Sequence, residues 1–520
     1  MLSARKILTK TIQVGIPTLF SRFFGIFREV LMVRYLGASG LSDVFLTAYK
    51  LPNSLRKVFA EGALSAAFIP TIVTTLKGAP HNAIAGIMSL GFIFFEGTVI
   101  ILCALTMWYA EPVVTFIAPG FSAEQIALAI PMVHILMPMI FFISSSALLA
   151  GSLQAVGHFF VPAFTPIMMN FIFILGIIVC LFFNLSVTIL CWFILAASAA
   201  HFIVHVIQYR RLNFSFGYPI KNDFTIFFHV IGKFLLCLPS VSLMEIALLI
   251  DTRFASRLAP GSISLFFYAN RFLGIPLGVF AVAFSTILLP HFSRVNTYSP
   301  RRLHFYLLES AKFIFWITIP VALLMAFFAH DIFLTVFVSQ KFTLAQAYEA
   351  GNILITFVLG LFFFSLNKII LNIFYSMHAT WVPIITAFVT TVVNVLLNIL
   401  LVETFQTVGL ATAIVIANTV QTILFLFILQ KKYNFRIYTY QFMIFVKKYT
   451  VQLIVFTALF LSSYYVLKYI IQQYCSPTLA SLLLTKMGLW FWVTPLVGIL
   501  FIMIWYTKNL FGIRLHFVGN

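Results

Sequence analysis

Nine charged side chains lie within residues 21–70, and the cations among them suit the binding of an anion. They are Arg22, Arg28, Glu29, Arg34, Asp43, Lys50, Arg56, Lys57 and Glu61. Ionisable groups are expensive inside a bilayer, so they usually face a protein interior or a water-filled cavity. Guanidinium groups also match phosphate oxygens in a bidentate geometry. The stretch therefore predicts a positively charged cavity that binds an anionic ligand.

The spacing of these groups places several of them on one helix face. Asp43, Lys50 and Lys57 recur every seven residues, Glu61 follows on the same stripe, and Arg56 borders it. Seven residues are close to two helical turns, so the stripe should face either a cavity or a polar partner helix.

The composition identifies the elements that must hold this stripe. Of the 520 residues, 62% are apolar and 9% are charged, and apolar runs recur along the whole chain. Runs of about 20 apolar residues predict transmembrane helices. We predict an all-α polytopic membrane protein with about 14 transmembrane helices, of which the first is not cleaved. They begin near residues 7, 43, 83, 126, 161, 187, 225, 263, 305, 346, 382, 408, 448 and 487.

The distribution of lysine and arginine predicts the orientation. With the N-terminus inside, 17 basic residues fall in inner segments and about three in outer segments. Because positive charge accumulates on the cytoplasmic side, both termini are predicted to be cytoplasmic. The net charge of +19 does not indicate nucleic-acid binding, since the basic residues lie at helix ends or singly within apolar runs.

Three segments recur at an offset of 220 to 221 residues. GALSAAFIP (62–70) matches VAFSTILLP (282–290), GFSAEQIALA (120–129) matches KFTLAQAYEA (341–350), and GHFFVP (157–162) resembles HATWVP (378–383). An even number of spans in each repeat gives both halves the same orientation, as in parallel-repeat transporters. We predict a six-helix lobe at 1–215, a second at 216–433, and two extra helices at 434–520.

The second half contributes one cation of its own. Arg271 falls at the repeat offset from Lys50 and Leu51, so both halves should present a cation at similar depth. In the first half, Arg22 and Glu29 are seven residues apart and share a helix face.

The acidic residues are open to two interpretations. Buried charges are usually paired, so Glu29, Glu61, Glu245 and Asp251 could hold helices together by ion pairs. Because embedded cations outnumber embedded acids, pairing cannot absorb all of the cations. We assign gating or ion-pair roles to Glu29, Asp43, Lys50, Lys57 and Glu61, and possible ion coupling to Asp251.

No pattern for covalent or metal chemistry is evident. The chain lacks GxxxxGKS/T and HExxH, and Cys103, Cys180, Cys191, Cys237 and Cys475 show no paired spacing. We expect no catalytic residue, no metal and no cofactor, and an energy source other than an ATPase within the chain.

The chain resembles a known family over essentially its whole length, and three segments carry the resemblance. SRFFGIFRE (21–29), SDVFLTAYKLPNSLRKVFAEGALSAAFIP (42–70) and YANRFLGIPLGVFAVAFSTILLP (268–290) are similar to signatures of the MurJ/MviN lipid II flippases. These belong to the superfamily that includes the MATE exporters. The resemblance implies a multi-pass protein of the bacterial inner membrane that serves peptidoglycan biosynthesis. It would move undecaprenyl-pyrophosphate-linked disaccharide-pentapeptide from the inner to the outer leaflet.

The resemblance also implies roles for single residues. The substrate-binding arginines of the family correspond to Arg22, Arg28, Arg56 and Arg271. Asp43 matches the acidic residue before the second helix, and the last two helices would frame a groove for the polyprenyl tail. Glu29 stands where Asp is usual, and Asn270 and Gly274 replace residues that are often acidic or polar.

Other functions fit less well. A drug or cation exporter of the same superfamily should have an acidic cavity, whereas another lipid-linked oligosaccharide would also suit a basic one. A membrane glycosyltransferase needs a catalytic acid or base in a large outer loop, and the longest one predicted (109–125) offers only Glu111 and Glu124. We expect a monomer surrounded by membrane lipids, without nucleic acid and with other cell-wall synthesis proteins as possible partners.

Overall fold

The computed structural model describes residues 20–21, 23–76, 80–299, 301–485 and 487–518. These residues are almost entirely helical, and the β pairing among them is a single bridge between Ser339 and Phe342. They form two compact units, of which the first ends at Ser264 and the second begins at Leu265.

The first unit is built from a series of helices joined by short turns. They are α1 (23–36), α2 (Gly40–Arg56), α3 (Ala63–Thr75), α4 (Ala85–Gly91), α5 (Gly97–Trp108), α6 (Ala110–Ile117), α7 (Ala123–Leu136), α8 (Met139–Ala155), α9 (Phe160–Phe182), α10 (Val187–Arg211) and α11 (Lys221–Ala255). Two π-helical turns continue the chain without a break, Lys57–Gly62 between α2 and α3 and Phe92–Glu96 between α4 and α5. A 3-10 turn, His81–Ile84, precedes α4.

The second unit continues from the first turn of α12. Its helices are α12 (Ser262–Pro276), α13 (Ala283–Tyr298), α14 (Arg302–Phe327), α15 (Ala329–Val336), α16 (Leu344–Leu359), α17 (Leu361–Ser376), α18 (Trp381–Lys432), α19 (Thr439–Tyr474), α20 (Pro477–Leu484) and α21 (Gly488–Thr507). The π-helical turn Leu277–Val282 joins α12 to α13, and a 3-10 turn, His516–Val518, follows α21.

Many of these helices, singly or joined end to end, have the length and apolar character of membrane spans. Within the described residues, ten helices qualify, or eleven when the pair α16 and α17, bent by 45°, counts as one span. A chain with so many apolar helices is an all-α multi-pass membrane protein, which confirms the predicted fold class at that level.

The long helix α18 is broken near its middle. Gln406 has φ 53° and ψ −132°, which no α-helical residue adopts. An unbroken helix of 52 residues would be about 78 Å long, more than twice the thickness of a bilayer core. The break agrees with the prediction of separate spans that begin near 382 and 408.

Local features recur between the two units at the offset found in the sequence. The π-helical turns Lys57–Gly62 and Leu277–Val282 are 220 residues apart. Capping boxes begin at Ser122 and Thr343, 221 residues apart, and in each a glutamine three residues later binds the backbone of the capping residue. Equivalent sequences therefore fold into the same local structure.

Packing within each unit is helix on helix. In the first unit, α11 packs on α3, and α10 packs on α8 and α9. In the second, α19 and α21 pack on each other and α19 packs on α14, where the Tyr449 hydroxyl donates to Trp316 O at 2.6 Å. The lobes predicted at 1–215, 216–433 and 434–520 are defined by the sequence repeat, whereas the two compact units are defined by packing. The lobes therefore stay a prediction.

Candidate functional site

Arg28 on α1 is held by three neighbouring groups. Its Nη2 donates to Glu29 Oε1 at 2.7 Å, and its Nη1 donates to Asn170 Oδ1 at 3.0 Å. Its Cζ also lies 4.7 Å from the centroid of the Phe173 ring. Asn170 and Phe173 are both on α9, so two helices fix the plane of the guanidinium. The side chain is 13% exposed, which leaves an oriented cation with limited access.

The lysines of the α2 stripe bind α11. Lys57 Nζ lies 2.9 Å from Glu245 Oε1 and 3.2 Å from Oε2. Lys50 Nζ donates to Leu248 O at 2.6 Å and also to Thr252 Oγ1. Glu245, Leu248 and Thr252 share one face of α11, because they are three and seven residues apart. The sequence predicted that the stripe faces either a cavity or a polar partner helix. The two lysines face a polar partner helix, α11.

Asp43, in the first turn of α2, is a buried anchor. Its carboxylate accepts hydrogen bonds from Gly261 N at 2.6 Å, Ser264 N at 2.8 Å and Ser264 Oγ at 2.5 Å. It is 3% exposed. Backbone N–H groups at the start of a helix stabilise a negative charge. The start of α12 therefore stabilises the carboxylate of Asp43 without a cationic side chain. Asp43 therefore fixes the last turn of the first unit.

The remaining predicted residues of the first unit are less defined. Arg56 Nε donates to Asn53 Oδ1 at 3.0 Å, one turn earlier on α2. Asp251 is 3% exposed and lies close enough to Lys50 for an electrostatic interaction. Arg22 and the side chain of Glu61 lie outside the described part of the chain.

Arg271 belongs to the second unit. It is exposed on α12, and its Cζ lies 4.9 Å from the centroid of the Phe267 ring, one turn earlier on the same face. A guanidinium stacked on an aromatic ring keeps its edge N–H groups directed away from that ring. The geometry thus suits the binding of an anion at the edge of the guanidinium.

Two polar residues of the first unit were missed by the sequence analysis. Asn170 connects Arg28 to α1, since its Nδ2 donates to Ser21 O at 3.3 Å. Glu96 is buried within an apolar span. The signal available for both was an isolated polar residue in an apolar run, which in a membrane helix marks a polar contact or a functional site.

Comparison with known proteins identifies the family. The family model "Lipid II flippase MurJ" matches residues 32–485. The lipid II flippase MurJ of Burkholderia cenocepacia is 29% identical over 426 residues, which cover 80% of this chain and 82% of that protein.

Solved structures agree with this match. A structure of lipid II flippase MurJ in an inward closed conformation superposes with a TM-score of 0.76 at 25% identity, covering 96% of this chain and 99% of that one. An inward-facing MATE multidrug transporter has the same fold, with a TM-score of 0.65 at 16% identity over 80% of this chain and 97% of that one. Since the family model spans most of the sequence, the chain belongs to the MurJ family of lipid II flippases.

Proposed function

We propose that this chain moves lipid II across the bacterial inner membrane by alternating access through a cationic cavity. As a MurJ family member it is a lipid II flippase, a multi-pass inner-membrane transporter and not an enzyme. The substrate is undecaprenyl-pyrophosphate-linked disaccharide-pentapeptide, carried from the inner to the outer leaflet. The observation that supports a cationic cavity is the orientation of Arg28. Three groups hold its guanidinium in one plane within an apolar unit.

Arginines are the residues we assign to the anionic part of the substrate. The proposed set is Arg22, Arg28, Arg56 and Arg271. The planar guanidinium suits the oxygens of a pyrophosphate, and no bond is made or broken, so the site only has to bind and release.

The other charged residues position or gate this set. Lys57 and Lys50 bind α11 and hold α2 in place, and Asp43 anchors the start of α12. We assign gating to Glu29 and Glu61 and ion coupling to Asp251. The polyprenyl tail would remain in lipid or along a groove formed by α19 and α21.

The proposed topology has 14 spans in two parallel six-helix repeats plus two helices, with both termini cytoplasmic. It is supported by the break at Gln406, which divides α18 into two spans, and by α2 and α3, whose combined length suits a further charged span. The recurring π-helical turns and capping boxes support the repeat. We further propose that the protein works as a monomer, with other cell-wall synthesis proteins as partners.

The membrane potential is a suitable energy source. The sequence has no nucleotide-binding phosphate loop. Moving one charge through 100 mV is worth roughly 2.3 kcal/mol. A cavity that carries several cations would therefore respond to the potential when its access changes sides.

The proposal is tested by replacing Arg28, Arg56 and Arg271 singly with alanine in cells depleted of the native protein. Membrane levels of each variant are measured together with outer-leaflet accessibility of the lipid-linked precursor. We expect each variant to lower accessibility by about tenfold or more, because a lost charge-assisted hydrogen bond costs roughly 1.5–3 kcal/mol.

A matched control is Arg34→Ala, which removes an exposed arginine from the same helix as Arg28 and should leave accessibility unchanged. If all three cavity variants support normal accessibility at normal levels, the cationic-cavity mechanism is wrong. If depletion of the native protein itself changes nothing, the flippase function is wrong.

A further inference from the structure

Glu96 is a buried carboxylic acid that the proposed mechanism does not use. It is the last residue of the π-helical turn Phe92–Glu96, and its side chain is among the most buried of the charged residues, 3% exposed. It is also the one Asp, Glu, Lys or Arg in the span 82–108. An ionisable residue in the middle of an apolar span is a functional-site candidate, and π-helical turns are frequent at such sites.

The carboxyl group of Glu96 is incompletely satisfied. Its Oε2 accepts a hydrogen bond from Ser144 Oγ at 2.7 Å, whereas its Oε1 is buried without a partner among the described residues. No cation within the described part of the chain lies within ion-pair distance. By contrast, the buried Glu309 of the second unit has Lys312 at 2.7 Å and accepts from His516 N at 3.1 Å. The hydroxyls of Ser144 and Ser145 are the donors beside it, and neutral hydroxyls are too little to hold an ionised carboxylate in an apolar surrounding.

The elements around Glu96 supply no charge that could compensate it. Helices α4 and α8 contain no ionisable residue, and α5 contributes only Cys103, whose Sγ donates to Met137 O at 3.4 Å. On α11, Phe227 and Phe234 pack against Phe95.

The cations of α11 closest to those two rings face elsewhere. His229 and Lys233 line a separate cavity that α11 forms with the end of α3. Helical geometry places them on a different face of α11 from Phe227 and Phe234. In this conformation the surroundings of Glu96 therefore favour the protonated, neutral form of its carboxyl.

A second cavity is lined by residues that lie one helical turn from this carboxyl and from its neighbouring serines. It has a volume of about 310 Å³. Its walls include Phe92, four residues before Glu96, and Leu149, four residues after Ser145. Its other walls include Tyr209, Arg210 and Ser215. Most of the lining is apolar, but Tyr209, Arg210 and Ser215 supply polar groups to which water in a cavity of this size can bind. A small change in the π-helical turn would open the carboxyl to it.

We propose that Glu96 is a proton-binding site that gains and loses one proton during the transport cycle. While the site is open, hydronium in the cavity donates a proton to Oε1 and the O–H bond forms; the bond breaks when the site opens again and water accepts the proton as hydronium. A proton fits better than a metal ion, because hard cations take about six oxygen ligands. Here one carboxylate and two serine hydroxyls converge. The inference rests on the proposed transport function and adds an ion-coupling site to it.

The test uses the full-length protein in lipid nanodiscs. An infrared difference spectrum of wild type minus Glu96→Gln at neutral pH should show the carbonyl band of a protonated carboxyl. Addition of the lipid-linked precursor should change that band and move about one proton per chain, read with a pH indicator in weak buffer. Glu96→Gln should move none, whereas the exposed Glu111→Gln should behave as wild type.

Each outcome of this test either supports or overturns the proposed proton site. A band that is present but unchanged by substrate would identify a permanently protonated structural acid and overturn the proposal. Absence of the band, or proton movement that persists in Glu96→Gln, would also overturn it. If the wild-type protein does not translocate the precursor in the same membranes, the proposed function fails instead. If it translocates while the band stays constant, only the proton site is wrong.

Discussion

Arg28 illustrates how one side chain can be kept charged and oriented within an apolar unit. Glu29 supplies the opposite charge, Asn170 a second acceptor, and Phe173 a face to stack on. The Nη1 and Nη2 of Arg28 each donate one of these hydrogen bonds, and a guanidinium has five N–H donors in all. The arrangement holds the guanidinium without using up its capacity for another anion.

We therefore predict that Arg28→Lys does not replace Arg28. A lysine keeps the charge, but it is a point donor that cannot reach Glu29 and Asn170 together while stacking on Phe173. Precursor accessibility should fall by about tenfold, nearly as far as for Arg28→Ala, since one charge-assisted hydrogen bond is worth roughly 1.5–3 kcal/mol. Full activity of the lysine variant would show that charge alone matters at this position.

A second residue-scale prediction concerns the ion pair of Lys57 and Glu245, whose side chains are 35% and 10% exposed. Lys57→Met leaves the buried carboxylate without its partner and should lower the free energy of unfolding by about 2 kcal/mol. The double variant with Glu245→Gln should lose less than the sum of the two single variants, with a coupling of about 1 kcal/mol.

Unfolding in detergent, followed by tryptophan fluorescence, gives these values. Lys447→Met, at an exposed position, should change stability by less than about 0.5 kcal/mol. Additive losses would mean that the pair contributes nothing to the packing of α2 on α11.

The sequence predicted part of this residue-level arrangement. The seven-residue spacing of Asp43, Lys50 and Lys57 indicated a shared face, and the two lysines do bind the same helix. Their partners could not be predicted, because Glu245 lies 188 residues after Lys57 and only tertiary packing brings them together. Glu96 went unnoticed since it has no charged neighbour in the sequence with which to form a pattern.

At the scale of elements, the breaks within helices matter as much as the helices. Gln406 has a backbone conformation that glycine favours, the first central position of a type II′ turn. A side chain held there costs of order 1–3 kcal/mol. The strained residue breaks the helix at this point.

We predict that Gln406→Gly raises the free energy of unfolding by about 1 kcal/mol, because glycine adopts this conformation without strain. The same substitution at Gln430, an exposed position within the helical part of α18, should lower it by about 0.5–1 kcal/mol. Thermal unfolding of both variants in one detergent makes the comparison. A destabilising Gln406→Gly would mean that the side chain itself holds the turn.

Turn signals and run lengths were sufficient to predict the break near 408 and the long charged segment that contains α2 and α3. They did not predict the π-helical turns. A π-helical turn inserts one residue into an otherwise regular helix, and in a nearly continuous apolar run the resulting shift of register is not visible. The recurrence of Lys57–Gly62 at Leu277–Val282 became visible only in the structure.

At the scale of the whole molecule, the fold class was predictable from the composition and the family from long sequence motifs. Apolar run length alone gives a multi-pass helical protein. The division into two compact units at Ser264 was not predictable. It depends on α11 packing against α3, whereas the repeat in the sequence places the boundary before α11.

The proposed topology predicts the accessibility of single cysteines in a variant that lacks the five native ones. Glu111→Cys lies in an outer loop of this topology and Tyr218→Cys in an inner loop, and both positions are exposed. A membrane-impermeant maleimide should label the first in intact spheroplasts and the second only after permeabilisation, because positive charge keeps the inner loops cytoplasmic. The reverse pattern would invert the topology and with it the direction of transport.

The contact between the lysines of α2 and α11 restricts how the first unit can move. In water, a separated lysine and glutamate would simply be hydrated, but a bilayer interior offers no such replacement. Pulling α2 away from α11 would strand Lys57 and Glu245 together with the hydrogen bonds of Lys50. Separating the two helices therefore carries a cost, and we predict that α2 and α11 move together during transport.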